Sequence, residues 1–168
     1  MEEKNKKILH KSILLVIIVV ASFILLSLFS GKGQNNPKIY PPSIFSKATV
    51  NLNDKTLSVL FADTDISRTQ GLAGVTSLDD HQGMLFEFTD TSSYGIWMKD
   101  MIIPIDILWL NDNGHVVAIA EKIEPNTFPK VFKPEAIQAR YVLELASGYV
   151  KRNGVKIGDP MIFSILKN

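Results

Sequence analysis

The 168-residue chain has no cysteine. That single absence removes a disulfide framework, a thiol nucleophile, an iron–sulfur site, a Cys-based zinc site and a lipid-modified N-terminal Cys. The redox compartment stays open. Histidine is nearly as scarce: beyond residue 46 only His81 and His115 occur, too few for a three-His zinc centre. Positive charge is not in excess either, with 18 Lys and Arg against 17 Asp and Glu. Residues 47–168 hold 12 cations and 15 anions, a poor footprint for a nucleic-acid binder. There is no P-loop, no dinucleotide fingerprint and no G-x-S-x-G turn, and neither His has a triad-like neighbourhood in sequence. Asp63-x-Asp65 and Asp79-Asp80 do not continue into a calcium loop with its Gly at position six and Glu at twelve, and the first pair reads more simply as a helix start. No metal and no cofactor are therefore expected, and no internal repeat is visible.

What the chain does have is one long apolar run. Ser12 to Ser30 (SILLVIIVVASFILLSLFS) is 19 residues without a charge, and as a helix it would span roughly 28 Å, close to the hydrocarbon thickness of a bilayer. It is apolar on every side, unlike the stripe of a soluble helix. A cleaved signal peptide would have a shorter apolar core and small residues in phase at its exit, where this chain has Leu28, Phe29 and Ser30. The expected reading is an uncleaved signal anchor over residues 1–30, with secretion after cleavage as the alternative. Lys4, Lys6, Lys7 and Lys11 precede the run, which keeps the N-terminus cytoplasmic and puts the rest of the chain outside the cytoplasmic membrane. Residues 31–46 (GKGQNNPKIYPPSIFS), with three Pro, have the composition of an extended spacer.

Residues 47–168 read mainly as short strands: ATVNL, TLSVLFA, GMLFEF, GIWMK, IDILWL, HVVAIAEKI, RYVLELA and PMIFSIL. Asn53-Asp54 predicts one hairpin turn and Asn111 to Gly114 a second. Two short helices fit, Asp65 to Ala73 behind a Thr64 or Asp63 cap, and Ser147 to Asn153 closed by Gly154. The expected fold is mostly β, a β-rich α+β domain with a small barrel-like or strongly curved antiparallel sheet and two short helices, preceded by one transmembrane helix.

Four ordered segments, SRTQGLAGVTSL, GMLFEF, WMKDMIIPIDILWL with the DNG turn behind it, and ARYVLELASGYVKRNGVKIGDPMIF, resemble the domain of unknown function 192 family over about residues 48–166. The resemblance implies a compact, mostly β domain with a barrel-like sheet, often secreted or anchored, and no established activity. Two departures stand out. Relatives often carry Arg where this chain has Val75, which weakens any anion-binding role built on that Arg, and the WMK block tends to end in Asn-Thr where this chain has Asp100-Met101.

Polar residues inside apolar strands are the candidate site. Alternation puts Asp106 beside Leu108 and Leu110, Glu144 and Arg140 beside Val142, and Trp97 beside Lys99. Buried charges cost several kcal/mol unless paired, so one reading is that Asp106 or Glu144 pairs with Lys99 or Arg140 to fix strand register, or that these positions simply face solvent. The other is a cleft in which Trp97, Lys99, Asp106 and Glu144 meet a ligand. The function expected from this is a membrane-tethered, non-catalytic module binding a polar ligand such as cell-envelope carbohydrate, or a protein partner. Its partners are then the lipid bilayer, through residues 12–30, and that ligand, with no nucleic acid. Two alternatives compete: a glycoside-type hydrolase using Asp106 and Glu144, whose carboxyls would have to stand about 5 to 10 Å apart, and a structural or assembly factor of the envelope.

Overall fold

In the computed structural model, residues 44–166 are described, apart from Ala136. The apolar run at 12–30 and most of the spacer lie outside the described residues; among those described, no helix is long and apolar enough to cross a membrane. The first two strands, β1 (Ser46–Leu52) and β2 (Lys55–Ala62), form a hairpin on Asn53 and Asp54, both with positive φ (47° and 59°). Such a turn matches the twist of paired strands and favours these residue types. Ala48, Val50 and Leu52 face Leu57, Val59 and Phe61 across it, all buried.

The chain then leaves the sheet through helix α1 (Asp65–Gln70). Thr64 caps it by accepting from the Ser67 amide (3.1 Å), the Ser67 hydroxyl accepts in return from the Thr64 amide (3.0 Å), and Gly71, at φ 49°, ends it. The helix is shorter than the sequence suggests because Gly71 stops it before Ala73. The chain re-enters as β3 (Gln82–Ser92), which lies parallel to β2. This corrects the expectation of a wholly antiparallel sheet. A parallel neighbour requires a crossover, and residues 63–81 with α1 supply it.

The remaining pairs are antiparallel. β5 (Ile105–Leu110) forms a hairpin with β6 (Val116–Ile123) and also pairs with β8 (Ala139–Ala146), which in turn pairs with β3. Helix α2 (Tyr149–Asn153) follows, and β9 (Met161–Leu166) closes the order β6-β5-β8-β3-β2-β1-β9 by pairing with β1. Two-residue strands β4 (Ile96–Trp97) and β7 (Val131–Phe132) form a separate small sheet. β4 is shorter than GIWMK because Met98 turns inward, the Met101 amide bonds back to the Met98 carbonyl and Asp100 adopts φ 57°.

The seven-stranded sheet is strongly curved, and it is not closed into a barrel. Its edge strands meet at one bridge, His115 with Pro160, where the Met161 amide reaches the Gly114 carbonyl (2.8 Å) and the Val116 amide reaches Asp159 (2.9 Å). Gly114 is indispensable there. Its φ is 77°, and a Cβ would lie 2.6 Å from the Met161 carbonyl oxygen. Gly114→Ala is expected to cost about 2–3 kcal/mol through backbone strain and loss of the bridge, read as a lowered urea midpoint with an unchanged slope.

Both faces of the central strands are covered, and every residue of β5 is buried. One core joins Leu108, Leu143 and Leu145 to Phe61, Tyr149, Val150 and Met161; the other joins Met84, Phe86, Ile105, Ile107 and Val142 to Leu72, Ile96 and Met98. Phe45, at the end of the proline-containing segment, is buried in the second.

Candidate functional site

On β8, Val142 and Glu144 point to the second core, while Leu143 and Leu145 point to the first. Glu144 stands in register with Ile107 of β5 and Met84 of β3. Its side chain is therefore at the floor of a cleft. It is 5% exposed, and its Oε2 has no hydrogen-bond partner among the described residues. Burial alone pushes its pKa up to about 8, so near neutral pH the group is mostly an uncharged acid. Of the four candidates, it is the one whose chemistry is most altered by its surroundings.

The cleft encloses about 340 Å³. One wall is α1 with the turn after it, Arg68 to Ala73; another is β3, through Phe86 and Phe88; the third is β4 and its extension, with Trp97, Lys99 and Met101. Trp97 is 54% exposed and Lys99 is exposed at the mouth. A shallower depression continues outward from Trp97 and Lys99 over Ile66, Thr69 and Gly74 to Asp100.

Arg68 holds two of these walls together. Its guanidinium donates to the Asp63 and Glu87 carbonyls (both 2.7 Å) and pairs with the Asp65 carboxylate (2.6 Å), lying 5.5 Å from the centre of the Phe88 ring. Phe88 stacks on Tyr94 at 3.5 Å, and the Trp109 indole donates to the Tyr94 carbonyl (2.9 Å). Arg68, Phe86 and Phe88 were not among the residues anticipated from sequence. Alternation in GMLFEF already put Met84, Phe86 and Phe88 on one face, and that was the available signal; Arg68 sits in the SRTQGLAG segment with nothing local to mark it.

Three of the four anticipated residues, Trp97, Lys99 and Glu144, line this cleft. Asp106 does not. The Asp106–Leu145 register puts it on the opposite face of the sheet from Glu144. It is fully buried, and it accepts from three backbone amides: Lys122 (2.8 Å), Gly148 (3.0 Å) and Val150 (2.9 Å). Lys122, at φ 54°, lies opposite the register shift between β5 and β6, and Gly148 begins α2. Asp106 thus ties a bulge to a helix start and has no free lone pair facing the cleft. The two carboxyls that the hydrolase reading brings together thus lie on opposite faces of the sheet. None of the anticipated ion pairs occurs among the described residues, and Arg140 pairs with Glu87 instead (3.0 Å).

No group of three or more metal-ligating side chains occurs among the described residues. Val75, at the position where a cation is common in similar sequences, is buried in the second core.

A family model described as an uncharacterized ACR, domain of unknown function 192, matches residues 47–163. No curated protein matches the chain. Among the solved structures similar to the chain are the following two. A candidate transcription regulator of Sinorhizobium meliloti 1021 is 30% identical, with a TM-score of 0.64, over 71% of this chain and 93% of that one. A protein of unknown function from Novosphingobium aromaticivorans DSM 12444 is 27% identical, also at 0.64, over 75% of this chain and 91% of that one.

Proposed function

We propose, for a chain that belongs to the domain of unknown function 192 family, that residues 47–168 form a non-catalytic module whose cleft takes a small polar ligand, carbohydrate of the cell envelope being the leading class. Residues 12–30 would hold it at the outer face of the cytoplasmic membrane. The observation that carries the binding reading is the buried, unpartnered Glu144 carboxyl beneath an exposed Trp97. Leaving a buried polar atom without a partner costs about 1–3 kcal/mol, and a ligand that supplies the missing hydrogen bond recovers it. Trp97 offers the flat apolar surface on which a sugar ring stacks. Support for the tether is the Lys-rich flank before an uncharged run of 19 residues.

A hydrolytic role draws no support from the cleft's carboxylates. Asp65, the other acid on its wall, is almost fully exposed and engaged by Arg68. Nucleic-acid binding is disfavoured by a net negative domain.

The experiment is a thermal-shift screen of the full chain in detergent against neutral, amino and acidic sugars and short peptides. At least one class is expected to raise the midpoint. Trp97→Ala should abolish that rise while changing intrinsic stability by less than about 1 kcal/mol, since half of the ring is already in solvent. Loss of several kcal/mol in Trp97→Ala, with no stabilising ligand, overturns the reading.

A further inference from the structure

We infer that the cleft selects a ligand carrying a carboxylate, with Glu144 at the floor donating a hydrogen bond to that carboxylate and Lys99 at the mouth balancing its charge. This rests on the cleft being a ligand site, and it specifies which chemistry the site takes.

Among the described residues, no cation pairs with Glu144. Arg68 donates to Asp63, Glu87 and Asp65, and Arg140 turns its Nη2 to Glu87, its buried Nε finding no partner among the described residues. Lys99 makes no ion pair among the described residues, yet it does not close on Glu144 either. From the strands on either side, Glu144 meets only Met84 and Ile107 in register, neither titratable. The titratable groups on the cleft walls are Asp65 and Arg68 from α1 and Lys99 beyond β4. With no cation committed to it, the buried acid keeps its proton at neutral pH, in line with its pKa of about 8.

A protonated carboxyl presents an O–H donor. Its O–H then lacks an acceptor among the described residues, and a ligand carboxylate supplies one. The remaining charges point the same way. Asp65 and Arg68 neutralise each other at 2.6 Å, leaving Lys99 at the mouth as the cation of the cleft lining with no ion pair among the described residues. An anion answers both needs at once. The walls near the floor, Phe86, Phe88 and Met101, are apolar, which suits a flat, singly charged carboxylate better than a phosphate, whose larger charge demands several donors.

The test uses the full chain in detergent, following fluorescence of Trp97 (with Trp109 buried as the internal reference) and the thermal midpoint. D-glucuronate and D-glucose form a matched pair that differs at the carboxylate; acetate and inorganic phosphate are the further arms. At about pH 6, glucuronate should perturb Trp97 and raise the midpoint, with acetate weaker and glucose and phosphate silent. The apparent affinity for glucuronate should fall about tenfold per pH unit above the Glu144 pKa of about 8. Glu144→Gln keeps a donor and cannot ionise, so its binding should be the same at about pH 6 and about pH 9. Glu144→Ala should lose it, and Lys99→Gln should weaken it about tenfold, with circular dichroism confirming that each variant is folded. If glucose or phosphate binds as well as glucuronate, the selectivity is wrong and the cleft reading survives. Loss of binding in folded Glu144→Gln at both pH values means an ionised carboxylate is required, and the inference falls. Silence of all four probes overturns it together with the sugar reading.

Discussion

Asp106→Ala is expected to lower the stability of the domain by about 2–6 kcal/mol, because three backbone amides lose their acceptor at once, two of them buried, and each buried orphan costs about 1–3 kcal/mol. The amides belong to Lys122 and to Gly148 and Val150, two segments far apart in sequence, so no local rearrangement satisfies all three. Domains of this size have about 5–15 kcal/mol in total, and the variant would sit near the edge of folding. Asp106→Asn is the graded control: one oxygen still serves Lys122 and Gly148, while its amide nitrogen meets the Val150 N–H, donor against donor. A loss between wild type and the alanine variant is expected. Urea unfolding of the full chain, followed by circular dichroism, reads both. Near-normal stability of Asp106→Ala with altered ligand binding would return this residue to the site and overturn its structural role.

The opposite sign is expected at Glu144. Its folded pKa, about 8, lies above the ordinary value of 4.5. Below about pH 4.5 both folded and unfolded chains hold the proton, and the group imposes no ionisation cost. Between about pH 4.5 and 8 the unfolded chain releases the proton while the folded one keeps it, so stability falls as pH rises; above about 8 the full cost is present. The shift corresponds to at most about 4–5 kcal/mol, and relaxation and water entry reduce that. Glu144→Gln should therefore be more stable than the parent by a few kcal/mol at about pH 8 and about equal to it near pH 4. Thermal midpoints across that range check it. A wild-type slope that survives in Glu144→Gln would assign the pH dependence elsewhere. A gain in stability on removing a buried group is the signature of a residue kept for binding rather than for folding.

Most strands were legible because each carries its own period and its own turn. IDILWL is β5 without adjustment, the positive-φ residues Asn53 and Asp54 close the first hairpin, and Gly114 ends the turn of the second. The relation between Asp106 and Glu144 was not legible. Alternation orders residues within one strand, but which face of β5 matches which face of β8 depends on register, and a slip of one residue exchanges them. With Ile107 opposite Glu144, the two carboxyls fall on different sides of the sheet. β7 escaped notice for a related reason. Val131 and Phe132 follow Pro129 and Lys130 and have no pattern of their own; they are a strand only because Ile96 and Trp97 lie beside them. The parallel β2–β3 pair is likewise a product of the crossover, invisible to any local window.

Finally, the parts of the cleft are anchored unequally. Glu144 sits on β8, laddered on both sides by β3 and β5, whereas Trp97 belongs to a pair of two-residue strands. Amides of the central strands should exchange with solvent only through global unfolding, and those of β4 and β7 through shallow local opening. A ligand then meets a rim that breathes over a floor that does not. Entry and escape are governed by how often the Trp97 edge lifts, while the discrimination made at Glu144 is set by the rigid centre of the sheet, so residence time and selectivity can be altered independently.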